Sequence, residues 1–198
     1  MQPCSARYIY LIGLAGTGKL TIAKAIQRRF DCLLFDNHLI NNVVFSLIDP
    51  DGVSPIPLRV WDKVSAVRSI ALETVLHHSR RGRSFVFTNE LLEGQARHKH
   101  YFTEVASLAA ANAAALVPVR LLISGDELAR RVASPGRAEM FKDVDANSAR
   151  GRPDACTLLR PEGFNCLDLD VSCLSADQAA ERILSHAAAG ASQETPSK

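Results

Sequence analysis

"YIYLIGLAGTGKLTIAKAI", Tyr8 to Ile26, runs from an unbroken apolar segment through a glycine loop into an amphipathic stretch. Apolar residues without alternation predict a strand covered on both faces. Leu20, Ile22, Ala23, Ile26 and Phe30 then recur at helical spacing. Between the two, Gly13, four residues, Gly18 and Lys19 fit the phosphate-loop pattern G-x-x-x-x-G-K-[ST] up to its last position. That position is Leu20, and the hydroxyl comes one place later, at Thr21.

Glycines at 13, 16 and 18 let the backbone curl so that successive N–H groups converge, and the following helix adds its positive dipole end. Lys19 supplies a mobile charge for β and γ phosphates, with a pair energy on the order of 4 kcal/mol at about 4 Å in a surface-like dielectric. The expected ATP contacts are therefore Gly13, Ala15, Gly16, Thr17, Gly18, Lys19, Leu20 and Thr21. Leu20 cannot give the hydroxyl that ordinarily ligates Mg²⁺ after the lysine. Thr21 is turned by about 100° on the helix and suits an α-phosphate oxygen. The expectation is that Mg²⁺ arrives with ATP and keeps an extra water.

Four more apolar runs follow: "CLLF" at 32–35, "SFVFT" at 84–88, "VPVRLLIS" at 117–124 and "NCLDLDV" at 165–171. Helical patterns lie between them, at Leu58 to Leu76 and after Ser175, where Ser175 and Gln178 have capping-box spacing. The alanines of 107–115 suit a helix too. Strands alternating with helices make the class α/β. "DPDGVSPIP", 49–57, reads as an exposed loop. The chain is expected to form one domain over 1–188, with a disordered tail at 189–198.

Asp36 closes the second run, where the carboxyl ends of strands border the ligand crevice of an open α/β sheet. It can accept a proton from a substrate hydroxyl attacking a γ-phosphate, or it can cap a helix, a role shared with Asn37. Glu90 follows the third run and can orient magnesium through water, or serve as a first-turn acid of the next helix. His38 reads as a turn or packing residue. "ELARRVASPGRAEMFKD" carries Arg130, Arg131, Arg137 and Lys142 in a helical stretch broken at Ser134 and Pro135. Two basic helices with a bend can close as a lid over about 126–150. The alternative is a solvated helix in which Glu139, Asp143 and Asp145 offset the charge.

The chain has 198 residues and a formal net charge of +2, too little for a nucleic-acid footprint. The cluster "RRGR" at 80–83 reads as a solvated helix end. Five cysteines, without a C-x-x-C pair, imply a reduced, cytoplasmic setting, with Cys32 and Cys166 as small core residues. No apolar run reaches a membrane span, and no cleavage site follows the first one.

These motifs resemble small P-loop kinases such as shikimate kinase, chloramphenicol phosphotransferase and the nucleoside monophosphate kinases. The sequence is most similar to bacterial cytidylate-kinase-like or shikimate-kinase-like proteins with "GKLT" in place of GKS/GKT, over Tyr8 to about His186. The resemblance implies a five-stranded parallel sheet in order 2-3-1-4-5, flanked by helices, with a helical lid. It implies Lys19, Asp36, Arg130 and Arg137 as catalytic residues, and Arg131 as a further ATP contact in the lid. "DVSCLS" from Asp170 corresponds to the segment bordering the adenine. Arg59 and Arg68 fall in no recognisable acceptor motif. The function expected is transfer of the γ-phosphate of ATP to a small-molecule hydroxyl or phosphate, with ATP and Mg²⁺ as cofactors, no nucleic-acid or membrane partner, and a monomer or homodimer. The alternative is an ATP-binding regulator or degenerate kinase, for which Leu20 is the best argument.

Overall fold

The structure, a computed structural model, describes residues 6–48, 50, 56–134 and 146–191. Its sheet has five parallel strands, β1 (Arg7–Gly13), β2 (Cys32–Asp36), β3 (Ser84–Asn89), β4 (Ala115–Leu122) and β5 (Leu167–Asp170). Their order is β2-β3-β1-β4-β5, as expected. Among the described residues seven helices connect and flank them: α1 (Lys19–Gln27), α2 (Asn37–Phe45), α3 (Leu58–His78), α4 (Ala96–Ala111), α5 (Gly125–Val132), α6 (Ala146–Ala155) and α7 (Ala176–Ala191).

Strand alternation sorts the core into two layers. Tyr8 and Tyr10 of β1 lie in ring contact with Phe85 and Phe87 of β3, and Tyr10 stacks on Phe102 of α4. On the opposite face α1 buries Ile22, Ala23, Ala25 and Ile26, and packs beside α7. The central strand is buried from Tyr8 to Gly13, which is why its sequence shows no polar alternation.

Register brings the carboxyl ends of three strands level, with Ile12 opposite Asn89 and Asp36 opposite Thr88. The glycine loop, the end of β2 and the end of β3 thus share one edge. The Ser175–Gln178 capping box forms in both directions: the Ser175 N–H donates to Gln178 Oε1 at 2.9 Å, and the Gln178 N–H to Ser175 Oγ at 3.2 Å.

Several expectations are corrected. The alanine run does not stay helical: α4 ends at Ala111, Ala113 takes a left-handed φ of 49°, and Ala115 opens β4. Alanine's helix propensity yields here to the pairing of Ala115 with Arg7 of β1. Residues 189–191 belong to α7, not to the tail, and 192–198 lie outside the described residues. Most of the 49–57 loop lies outside them as well. Cys32 is buried, and burial pushes its thiol up to about 11, whereas Cys166 is only partly buried. Among the described residues no helix is long and apolar enough to cross a membrane.

Candidate functional site

The loop between β1 and α1 is folded on its own hydrogen bonds. Thr17, fully buried, donates its hydroxyl to the Leu14 carbonyl at 2.8 Å, and its N–H reaches the same oxygen at 3.2 Å. Gly16 and Gly18 hold φ of 101° and 93°, conformations that favour glycine. A Cβ on Gly16 would lie 2.7 Å from Leu128 Cδ1 and 2.8 Å from Val132 Cγ2, so α5 packs directly against the loop. Gly18 is the N-cap of α1 and brings no side chain to its first-turn amides. Lys19 places Nζ 2.7 Å from the Gly13 carbonyl and 2.9 Å from that of Leu14. Curled amides, an uncapped helix start and an ammonium at the loop fit an anionic polyphosphate.

Two side chains from elsewhere brace the loop. Arg131 of α5 donates to the Thr17 carbonyl and to the Val171 carbonyl, both at 2.7 Å, and its Nε reaches Glu127 at 2.6 Å. It therefore ties the loop to the segment after β5. Because a trans peptide points its carbonyl and the next N–H in opposite directions, holding Thr17 O on the α5 side turns the Gly18 N–H the other way. From the end of β3, Glu90 accepts the Ala15 N–H at 2.6 Å through Oε2, and Arg152 of α6 through Oε1 at 2.5 Å. Glu90 is not a first-turn acid, since α4 starts only at Ala96. Backbone bonds join the segment after β3 to the segment after α6, Glu93 N–H to Thr157 O and Leu159 N–H to Leu91 O, both 2.9 Å. This crosslink brings Arg152 to Glu90, and sequence spacing carries no signal for it.

Asp36 caps α2, its Oδ1 accepting the His38 N–H at 3.3 Å and the Thr88 hydroxyl at 2.6 Å. Thr88 accepts in turn from the Asn37 N–H at 3.3 Å. Below them lies Arg68, with 1% of its surface exposed. It donates to Glu104 at 3.0 Å, Asn37 Oδ1 at 3.3 Å, the Tyr101 carbonyl at 3.3 Å and the Tyr10 hydroxyl at 3.4 Å, and its guanidinium lies 4.7 Å from the Tyr101 ring centroid. Burial raises the Tyr10 hydroxyl's pKa, leaving it a neutral partner. Burial also lowers His98, whose Nδ1 accepts the Leu92 N–H at 2.9 Å.

The sequence-expected arginines part company. Arg131 meets the loop, whereas Arg130 is 73% exposed and its guanidinium is doubly hydrogen-bonded to Glu127, at 2.7 Å each. Arg137 and Lys142 lie outside the described residues, as does the break at Pro135. The two described helices of the expected lid, α5 and α6, pack closely: a Cβ on Gly125 would meet the Arg150 carbonyl at 2.2 Å.

For Mg²⁺ the donor set is thin. Leu20 is partly buried and Thr21 exposed. Among the described residues no three His, Cys, Asp or Glu side chains gather as ligands. Asp36 and Glu90, the carboxylates at this edge, already accept hydrogen bonds. A metal carried by a nucleotide fits such a site, and one held by the chain alone does not.

No protein-family model matches the chain, and no curated protein sequence matches it. Solved structures do. A protein of Chloroflexus aurantiacus assigned as a kinase superposes with a TM-score of 0.66 at 16% identity, over 94% of this chain and 98% of its own. A gluconokinase from Sinorhizobium meliloti gives 0.61 at 16%, over 96% and 94%. The APS kinase of Mycobacterium tuberculosis, in complex with AMPPNP and APS, gives 0.51 at 17%, over 93% and 98%. The fold is that of the small P-loop kinases.

Proposed function

We propose that the chain is an ATP-dependent phosphotransferase that moves the γ-phosphate to a hydroxyl or phosphate of a small molecule. The observation carrying this reading is the loop itself, with Gly16 and Gly18 in left-handed geometry, Lys19 across two loop carbonyls and α1 uncapped, level with Asp36 at the end of β2.

In this reading the Gly16 amide, those from Gly18 to Thr21 and Lys19 hold the polyphosphate, the Ala15 and Thr17 amides being taken by Glu90 and Leu14, with Arg131 fixing the loop and the adenine-side segment at Val171. Asp36, oriented by Thr88 and the His38 amide, accepts the acceptor's hydroxyl proton as its oxygen bonds to the γ-phosphorus and the bond to the ADP oxygen breaks. When bound with ATP, Mg²⁺ neutralises charge on the β and γ oxygens. Glu90, through water, is a candidate to orient it once released from Arg152. Arg152, hydrogen-bonded to Glu90 beside the loop, joins Arg137 as a source of positive charge for the transferring group, whereas Arg130, turned to solvent and held by Glu127, is not given that role.

The second reading, an ATP-binding regulator without transfer activity, is favoured by Leu20 and by the prior commitment of Glu90 to Ala15 and Arg152. One assay separates the two: Mg²⁺-dependent ADP formation across nucleoside monophosphates, shikimate, sugar acids and amphenicol or aminoglycoside alcohols, with Asp36→Asn beside the wild type. Stimulation by one acceptor class, lost in the variant, is expected. ATP binding with a slow hydrolysis that no acceptor stimulates would favour the regulator.

A further inference from the structure

The glycine loop already holds an anion that belongs to the chain itself. Glu90 accepts the Ala15 N–H through Oε2 at 2.6 Å and an Arg152 N–H through Oε1 at 2.5 Å. A backbone amide of a curled loop and a guanidinium are the kinds of donor that hold a phosphate. The carboxylate thus makes contacts that two phosphate oxygens could make. Its place is fixed from behind: the Glu90 N–H donates to Oδ1 of buried Asn89 at 2.8 Å. The two backbone bonds between the segments after β3 and α6 keep Arg152 on the same carboxylate. Both side chains are nevertheless 24% exposed, so a solute can reach the pair.

We infer that this contact is autoinhibitory: Glu90 competes with the polyphosphate of ATP, and full binding requires the carboxylate to withdraw and release the Ala15 N–H and Arg152. The inference rests on the function proposed above and adds a regulation of the same site. While Glu90 stays, it occupies a loop donor, and its charge repels an anion at short range. Withdrawal takes a partly exposed carboxylate into water, where its lost hydrogen bonds are replaced. The observed affinity is then the loop's own affinity reduced by the fraction of molecules in which Glu90 has withdrawn. A bracing role alone predicts the opposite sign, because a loop freed of its brace must be ordered on binding.

Titration calorimetry of the full chain with ATP in EDTA tests the sign, with no magnesium contact of Glu90 entering the comparison. Glu90→Ala should tighten ATP binding by at least about fivefold, the lower end of ordinary coupling between sites. Glu90→Gln keeps an oxygen for the Ala15 N–H and loses the charge, so it should tighten binding by less. It also serves if circular dichroism shows the alanine variant to be unfolded. Inorganic tripolyphosphate should show the same gain, and adenosine, which has no phosphate, none. ATP binding by the wild type that is unchanged or weaker in the folded variants would overturn the inference and leave the nucleotide site standing. A gain shared by adenosine would overturn it as well. If neither wild type nor variant binds ATP, the proposed function fails together with the inference.

Discussion

Replacing Arg68 by methionine tests whether the charged network beneath Asp36 is part of the folded core. The guanidinium is almost wholly buried and has four hydrogen-bond partners, among them Glu104, whose side chain is 18% exposed. Methionine fills much of the volume, so the principal loss is electrostatic: Glu104 keeps a largely buried charge with only His100, 3.6 Å away, beside it, and Asn37 and the Tyr101 carbonyl each lose a donor. Breaking a buried pair costs about 3–5 kcal/mol, and the partial exposure of Glu104 puts the expectation at the lower end. About 3 kcal/mol in a domain of this size lowers Tm by roughly 6–12 °C. Urea unfolding followed by tryptophan fluorescence is suited to the measurement, because Trp61 lies on α3 with Arg68. The double variant Arg68→Met/Glu104→Met should recover most of the loss, since it removes both charges. A single-variant cost below about 1 kcal/mol, or a double variant no better than the single, would refute the reasoning.

Gly16→Ala should lower Tm and abolish ATP binding, because its Cβ meets Leu128 and Val132 at under 3 Å while φ is +101°. Gly82→Ala, with φ +75° and nothing within 4 Å, should show only the backbone strain of about 1–2 kcal/mol and leave binding intact. Leu20→Thr should change the Mg²⁺ dependence of ADP formation, requiring less Mg²⁺ for half-maximal rate. An unchanged profile would mean that the hydroxyl at this position has no part in holding the ion. The Arg130 hydrogen bond, joined by Arg131, holds the Glu127 carboxyl at about 2 against its ordinary 4.5. The folded value is the lower one, so this contribution to stability is complete above the ordinary value and is lost as pH falls toward 2. Glu127→Gln should flatten that acid limb of a Tm-against-pH curve and leave its neutral region parallel to the wild type.

The fold was legible because burial on both faces leaves an unmistakable trace. "YIYLIGL" and "SFVFT" are strands for the same reason that they lack polar alternation; β1 ends where its glycine loop takes over, and β2 where Asp36 caps α2. The turn from β1 into α1 was legible because its glycine pattern is local, within nine consecutive residues. What stayed hidden depends on contacts between distant segments. Glu90 and Arg152 are 62 residues apart and meet through a backbone crosslink between two irregular segments, for which no periodicity exists. Arg130 and Arg131 are adjacent in sequence, yet one step of helix turns one toward solvent and the other onto Thr17. Arg68 reads in sequence as a polar interruption of an amphipathic helix. Its burial follows from partners on β1, α2 and α4 that no local pattern names.

These distant contacts also bear on how the loop would receive a ligand. Arg131 takes the Thr17 carbonyl, Glu90 the Ala15 amide, and Thr17 itself bonds back to Leu14, so three separate peptides of the loop are fixed by the protein. A loop ordered in this way would lose little conformational entropy on binding an anion, and more of the contact energy would remain as affinity. The bracing is unequal, however. Arg131 acts from α5, on a carbonyl, and would stay in place on entry of a polyphosphate. Glu90 acts from the end of β3 as an anion on a loop N–H, and a γ-phosphate near it would meet a like charge unless Arg152 remained between them. On the proposed function, then, the loop is open at its helix end and contested by Glu90 at the other, where release of the Ala15 N–H would accompany the entry of a polyphosphate.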